Sequence, residues 1–183
     1  ASGPKVVWRA NVGTGFASIA VADGRAFTLG HRDGKETVYC FNAATGDVVW
    51  SHSYDCPLHP NLHEGGPSAT PTVDGDRVYT LSKDGDLFCF NVADGMNGGG
   101  GRVGWQTDME RDLSMDAPDC GFIAPPLILG DALILQAGHT VAYDKATGRI
   151  RWKSERANPA YGSAVPMQLK DGMGIVVLNT DGL

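Results

Sequence analysis

No run of about 18 apolar residues occurs in the chain, so no segment reads as a membrane-spanning helix. Cations are scarce: 15 Lys and Arg stand against 21 Asp and Glu, a formal net charge of −6. Binding to phosphate or anionic lipid needs clustered Lys and Arg, so a nucleic-acid surface is not expected. Helical periodicity is missing throughout. No Gly-x-Ser-x-Gly, Walker loop or His-Glu-x-x-His motif is present, which removes the common hydrolase, nucleotide and zinc-protease signatures. The first residues, Ala1-Ser2-Gly3, include neither Met nor a hydrophobic leader. They read either as the product of a removed targeting segment or as a chain that never carried one.

What remains is ordinary globular material of 183 residues, 42% hydrophobic and 20% charged, long enough for a real core. Its 25 glycines punctuate short strands. The informative feature is a recurring motif, Ala-x-Asp-x-x-Thr-Gly-x-x-x-Trp. It is complete at Ala142, Asp144, Thr147, Gly148 and Trp152. It returns at Cys40, Asn42, Thr45, Gly46 and Trp50, and again at Cys89, Asn91, Gly95 and a late Trp105. Trp8 reads as the tail of a further copy. The tryptophans lie 42, 55 and 47 residues apart, and the long interval reflects six residues inserted in the glycine-rich hairpin between Gly95 and Gly104. A motif at this period predicts a repeat architecture.

Each unit reads as four short strands joined by Asp-Gly-type turns, which favour hairpins. The expected first strands are Ala17–Val21, Ala69–Val73, Ala124–Leu129 and Ala164–Leu169. The blades span 17–52, 69–107 and 124–153, with a partial blade at 164–183 and a stray outer strand at 5–8. The whole of 1–183 is one all-β segment of about 3.5 four-stranded antiparallel propeller blades, half of a seven- or eight-bladed ring. In each motif the Asp or Asn is expected to bond the turn backbone, and the Gly to supply its special φ. The Trp packs across to the neighbouring blade. The structural docking set is therefore Trp8, Trp50, Trp105 and Trp152 with Gly46, Gly95 and Gly148.

These residues resemble the pyrroloquinoline-quinone-type β-propeller repeat, over essentially the whole chain. The resemblance implies two functional groups. One holds quinone and calcium at the propeller axis as alcohol or sugar dehydrogenases. The other is non-catalytic, as in the lipoprotein of the outer-membrane barrel-assembly machinery. The docking motif belongs to both, so it carries the fold and not the chemistry. Adjacent disulfide-bonded cysteines expected of the dehydrogenases have no counterpart here. The expected function is a non-catalytic protein-binding or scaffolding module, with no cofactor. The alternative is part of a quinone-dependent alcohol dehydrogenase-like enzyme with quinone and calcium. The partner is another protein, or a second copy closing a twofold ring, unless the chain is a fragment of something longer. By resemblance the location is periplasmic or otherwise extracytoplasmic.

Residues just before each first strand should face the axis. With the adjoining loop they supply Phe16, His63, Glu64, Phe122 and Tyr161 as a ligand or partner funnel, or else as a plug of the axis. Cys56, His59 and His63 have metal-like spacing but too little convergence to predict a metal site. The acidic stretch from Asp108 to Cys120 matches no compact calcium loop and reads as solvated. The charged tip from His31 to Glu36 reads the same way. Cys40 and Cys89 occupy a small buried repeat position. Cys56 and Cys120 lie in loops and are either bonded or free.

Overall fold

The computed structural model describes residues 3–58, 60, 63–92 and 101–180. Three antiparallel sheets follow each other along the chain, each meandering in sequence order. The first contains β1 (Ala20–Ala22), β2 (Arg25–Arg32), β3 (Lys35–Asn42) and β4 (Val48–Asp55). The second contains β5 (Thr72–Asp74), β6 (Arg77–Leu81), β7 (Asp86–Asn91) and β8 (Arg102–Asp108). The third contains β9 (Leu127–Leu129), β10 (Ala132–Gln136), β11 (Thr140–Asp144) and β12 (Ile150–Lys153). A two-stranded sheet, β13 (Val165–Leu169) and β14 (Gly172–Val176), completes the described part of the array, which does not close into a ring.

Burial is concentrated at the seams between sheets. Phe27, Leu29, Val38, Cys40 and Trp50 of the first blade pack on Val78, Phe88 and Phe90 of the second. Tyr79, Leu81, Leu87 and Cys89, on the opposite face of the second blade, pack on Leu133, Leu135, Val141 and Tyr143 of the third. Ile134 and Ala142 then meet Ala164, Ile175 and Val177. A middle blade therefore buries both faces, which is why β6 and β7 are almost continuously apolar rather than alternating with polar residues. The cost of withdrawing their backbone from water is met by the strand ladders.

Several sequence expectations need correction. The ladders of the innermost strands are only three residues long. In the first blade, the residues before the strand bond the next blade instead: Phe16 and Ala17 donate to the Pro67 carbonyl, and Ser18 N–H donates to Thr70 Oγ1. Residues 5–8 show no strand pairing among the described residues. The acidic stretch opens with a helix, α1 (Met109–Leu113), not a plain loop. Asp108 caps it by accepting from the Arg111 N–H, Ser114 ends it in the left-handed conformation, and Met109 and Leu113 anchor it in the seam. Gly95 and His59 lie outside the described residues.

One regularity was not foreseen. The pairing of third and fourth strands shifts register in every blade, after Cys40, Cys89 and Ala142. These residues sit directly opposite Trp50, Trp105 and Trp152. The small side chain leaves room beside the indole, and the bulge increases local twist.

Candidate functional site

The seams are built from the repeated turn. Asn42 Oδ1 accepts from the N–H groups of Ala44 and Thr45, at 2.9 and 3.1 Å. Asp144 Oδ1 does the same for Ala146 and Thr147, both at 3.0 Å. Gly46 and Gly148 close these turns at φ +79° and +71°, and each amide donates back to the Asn42 or Asp144 carbonyl at 2.8 Å. The tryptophan covering each glycine comes from the preceding unit. A Cβ on Gly46 would lie 2.6 Å from the Trp8 ring, and one on Gly148 would lie 2.5 Å from the Trp105 ring. Trp8 Nε1–H donates to the Ala43 carbonyl and Trp105 Nε1–H to the Lys145 carbonyl, both at 3.0 Å. The contact is thus one aromatic face on a bare backbone, plus one hydrogen bond.

The seam that contains the insertion differs. Trp50 covers Gly101, whose Cβ would come within 2.6 Å, and its buried N–H has no partner among the described residues. Trp152 differs further: its side chain is 46% exposed, and no described glycine turn lies under it. On the same strand Ile150 is exposed, and on the last sheet so are Val165, Met167, Leu169 and Met173. At the other end of the array an apolar groove of about 380 Å³ opens between the Trp8 segment and the first blade, floored by Ala26, Leu29 and Phe41. Both end faces have the composition of a seam.

The expected axial funnel is only partly assembled. Phe16 is half exposed and meets His63 edge-on, with ring centroids 4.7 Å apart. His63 Nδ1 accepts from the Gly65 N–H, and Glu64 is exposed beside it. Phe122, by contrast, is buried against Gly85 and Met109 in the seam core, where it borders one small cavity with Tyr161. The tyrosine hydroxyl of Tyr161 accepts from the Cys120 N–H at 3.2 Å. Cys56 is buried with its thiol toward the Pro57 carbonyl, apart from the Phe16–His63 pair. Among the described residues no three His, Cys, Asp or Glu side chains are grouped to hold a metal, and all four cysteines are free thiols. The acids of 108–120 are engaged locally, Asp112 with Thr107 and Arg111, and Glu110 with the Ala117 N–H.

A polar cluster escaped the sequence reading. His31 and Glu36, read there as part of a solvated tip, are buried, because the loop after β4 folds over the end of the hairpin. Only the turn from Arg32 to Lys35 stays exposed. His31 Nε2–H donates to the Cys56 carbonyl at 2.9 Å. Glu36 accepts from Tyr54 Oη–H at 3.0 Å and, across the seam, from the Lys83 N–H at 3.3 Å. Burial pushes the Glu36 carboxyl up to about 7. The Lys83 side chain is itself buried, lies against Gly121, and its ammonium makes no hydrogen bond among the described residues. Burial lowers its proton affinity. A charged residue at a hairpin tip normally faces water, so nothing in the local pattern signalled this cluster.

Consecutive four-stranded antiparallel sheets with cores at their seams define a β-propeller of the pyrroloquinoline-quinone-like repeat class. A family profile described as outer membrane protein assembly factor BamB matches residues 1–97, and the chain belongs to that family. No curated protein sequence gives a significant match. Among solved structures, BamB from Moraxella catarrhalis is 20% identical, with a TM-score of 0.56, over 97% of this chain and 53% of that one. Quinohemoprotein alcohol dehydrogenase from Comamonas testosteroni is 17% identical, with a TM-score of 0.56, over 78% of this chain and 21% of that one. A europium-containing methanol dehydrogenase is 14% identical, with a TM-score of 0.61, over 82% of this chain and 27% of that one. The chain therefore spans about half the length of the BamB structure and less of the dehydrogenases. Likeness at these identities is likeness of fold.

Proposed function

We propose that this segment is a non-catalytic protein-binding or scaffolding module whose end faces dock further protein. The observation that carries the reading is Trp152. Its counterparts Trp8 and Trp105 each cover a glycine turn and donate to a carbonyl, whereas Trp152 stands exposed with no described glycine turn beneath it, and Val165, Met167 and Leu169 of the last sheet are exposed as well. A docking tryptophan left uncovered on a folded surface is a candidate interaction site. The family description, an outer membrane protein assembly factor, supports an extracytoplasmic setting. Among the described residues no helix is long and apolar enough to cross a membrane. The occupant is another protein, or a second copy whose β13–β14 ridge meets the groove beside Trp8.

The test is the solution mass with and without Trp152→Ala. Self-association predicts about twice 19.3 kDa for the parent and a return toward 19.3 kDa for the variant. A monomer in both cases removes the second-copy version. The likeness to two dehydrogenases sustains the other reading, part of a quinone-dependent alcohol-oxidising enzyme. Adding the quinone and calcium distinguishes them. A bound-quinone absorbance with dye-linked alcohol oxidation would overturn the non-catalytic role.

A further inference from the structure

We infer that Glu36 is a proton-operated latch across the seam between the first and second blades. As the neutral acid it holds the turn at Lys83 against the first blade, and loss of its proton loosens that contact. This goes beyond the docking reading and does not depend on it.

The geometry removes Glu36 almost wholly from water without giving it a cation partner. It lies on β3 with 1% of its surface exposed, in register with His31 on β2 and Tyr54 on β4. One carboxyl oxygen takes the Tyr54 hydroxyl, and the other takes the amide of Lys83, 47 residues away on the neighbouring blade. The Cys56 thiol lies near the carboxyl. These donors favour the carboxylate, but the loss of water around the group outweighs them. What they do not supply is a cation in contact. Lys83 offers its backbone N–H, while its ammonium is buried without a hydrogen bond among the described residues. The remaining groups facing the cluster are Asp84 beside Lys83, whose negative charge further disfavours the carboxylate, Asp86 on β7 near Tyr54, and Cys120 on the loop over Gly121. An isolated buried carboxylate is costly, so the carboxyl stays protonated through mildly acid pH.

The sign follows from linkage. Glu36 holds its proton more tightly in the closed seam, at about 7, than the ordinary 4.5 of an exposed glutamate. The closed seam is therefore favoured at low pH. Local opening becomes easier as pH rises from about 4.5 to about 7, and gains nothing further above that.

The experiment is amide hydrogen exchange at Lys83 between pH 5 and pH 8, corrected for intrinsic chemical exchange and compared with Leu135 in the other seam of the same protein. Protection at Lys83 relative to Leu135 should fall on the order of 100-fold across this range. In Glu36→Gln, which keeps an acceptor and every neighbour including His31, the ratio should stay flat. A wild-type ratio independent of pH overturns the latch. So does protection that rises with pH, which would mean that the carboxylate pairs with the Lys83 ammonium. The internal comparison keeps the proposal testable even if Glu36→Gln fails to fold.

Discussion

Replacing Gly148 by alanine should destabilise the protein by about 3 kcal/mol, well beyond the ordinary effect of removing a turn glycine. The residue sits at φ +71°, where an L side chain costs about 1–2 kcal/mol. The new Cβ would also lie 2.5 Å from Cε3 of Trp105, closer than two carbon atoms tolerate. The opposing backbone is pinned by the Gly148 N–H bond to the Asp144 carbonyl, so the indole is the part that must move. Moving it weakens the Nε1–H bond to Lys145, worth about 0.5–1.5 kcal/mol, and opens part of the ring contact. The control is Gly130→Ala in the same blade. Its φ is +59°, but its Cβ would meet nothing within 4 Å, so only the conformational cost of about 1 kcal/mol applies. Urea denaturation followed by tryptophan emission reads the difference. With a slope of about 2 kcal/mol per molar, Gly148→Ala should lower the midpoint by about 1 M more than Gly130→Ala. Combining Gly148→Ala with Trp105→Leu should recover part of the loss through coupling between touching residues. Equal midpoints for the two glycine variants would refute the argument that the indole rests on bare backbone.

Other consequences are independent of that pair. Trp8→Ala should cost about 3 kcal/mol in urea denaturation, from the half-buried ring on Gly46 and Phe41 and the lost bond to Ala43; a negligible change would mean that the leading segment is loosely held. Asp144 is held down at about 2 by hydrogen bonds from Arg151 and Thr147. Its folded value is depressed, so its contribution to the turn is complete above about 4 and fades as pH falls toward 2. Asp144→Asn should remove that acid sensitivity from exchange at Gly148, and an unchanged acid profile would contradict it.

The repeat was legible because its chemistry is local. Asn42 and Asp144 bond their own turns, Gly46 and Gly148 take the φ those turns require, and Asp-Gly pairs end hairpins a few residues away. Such short-range rules leave their mark in spacing, and the all-β propeller class followed from them. The family match accords with that class, and the docking role remains a proposal. The register shift opposite each tryptophan carried no such mark. It is visible only as a small residue, Cys40, Cys89 or Ala142, whose size has a reason once the indole across the ladder is known.

Sequence by itself determined how many strands each unit has, where they turn, and that an aromatic recurs at each edge. Tertiary structure decided which backbone Trp8, Trp50 and Trp105 cover: a glycine of the following unit, not the one in the same motif. It also decided which polar residues leave water. Phe122 is buried in the seam core, and Glu36 is enclosed by a loop and a turn from the neighbouring blade. The physical reason is that hydrogen bonding within a turn depends on neighbours in the chain. Burial and proton affinity depend on whatever packs from outside it, and here that material is 47 residues distant.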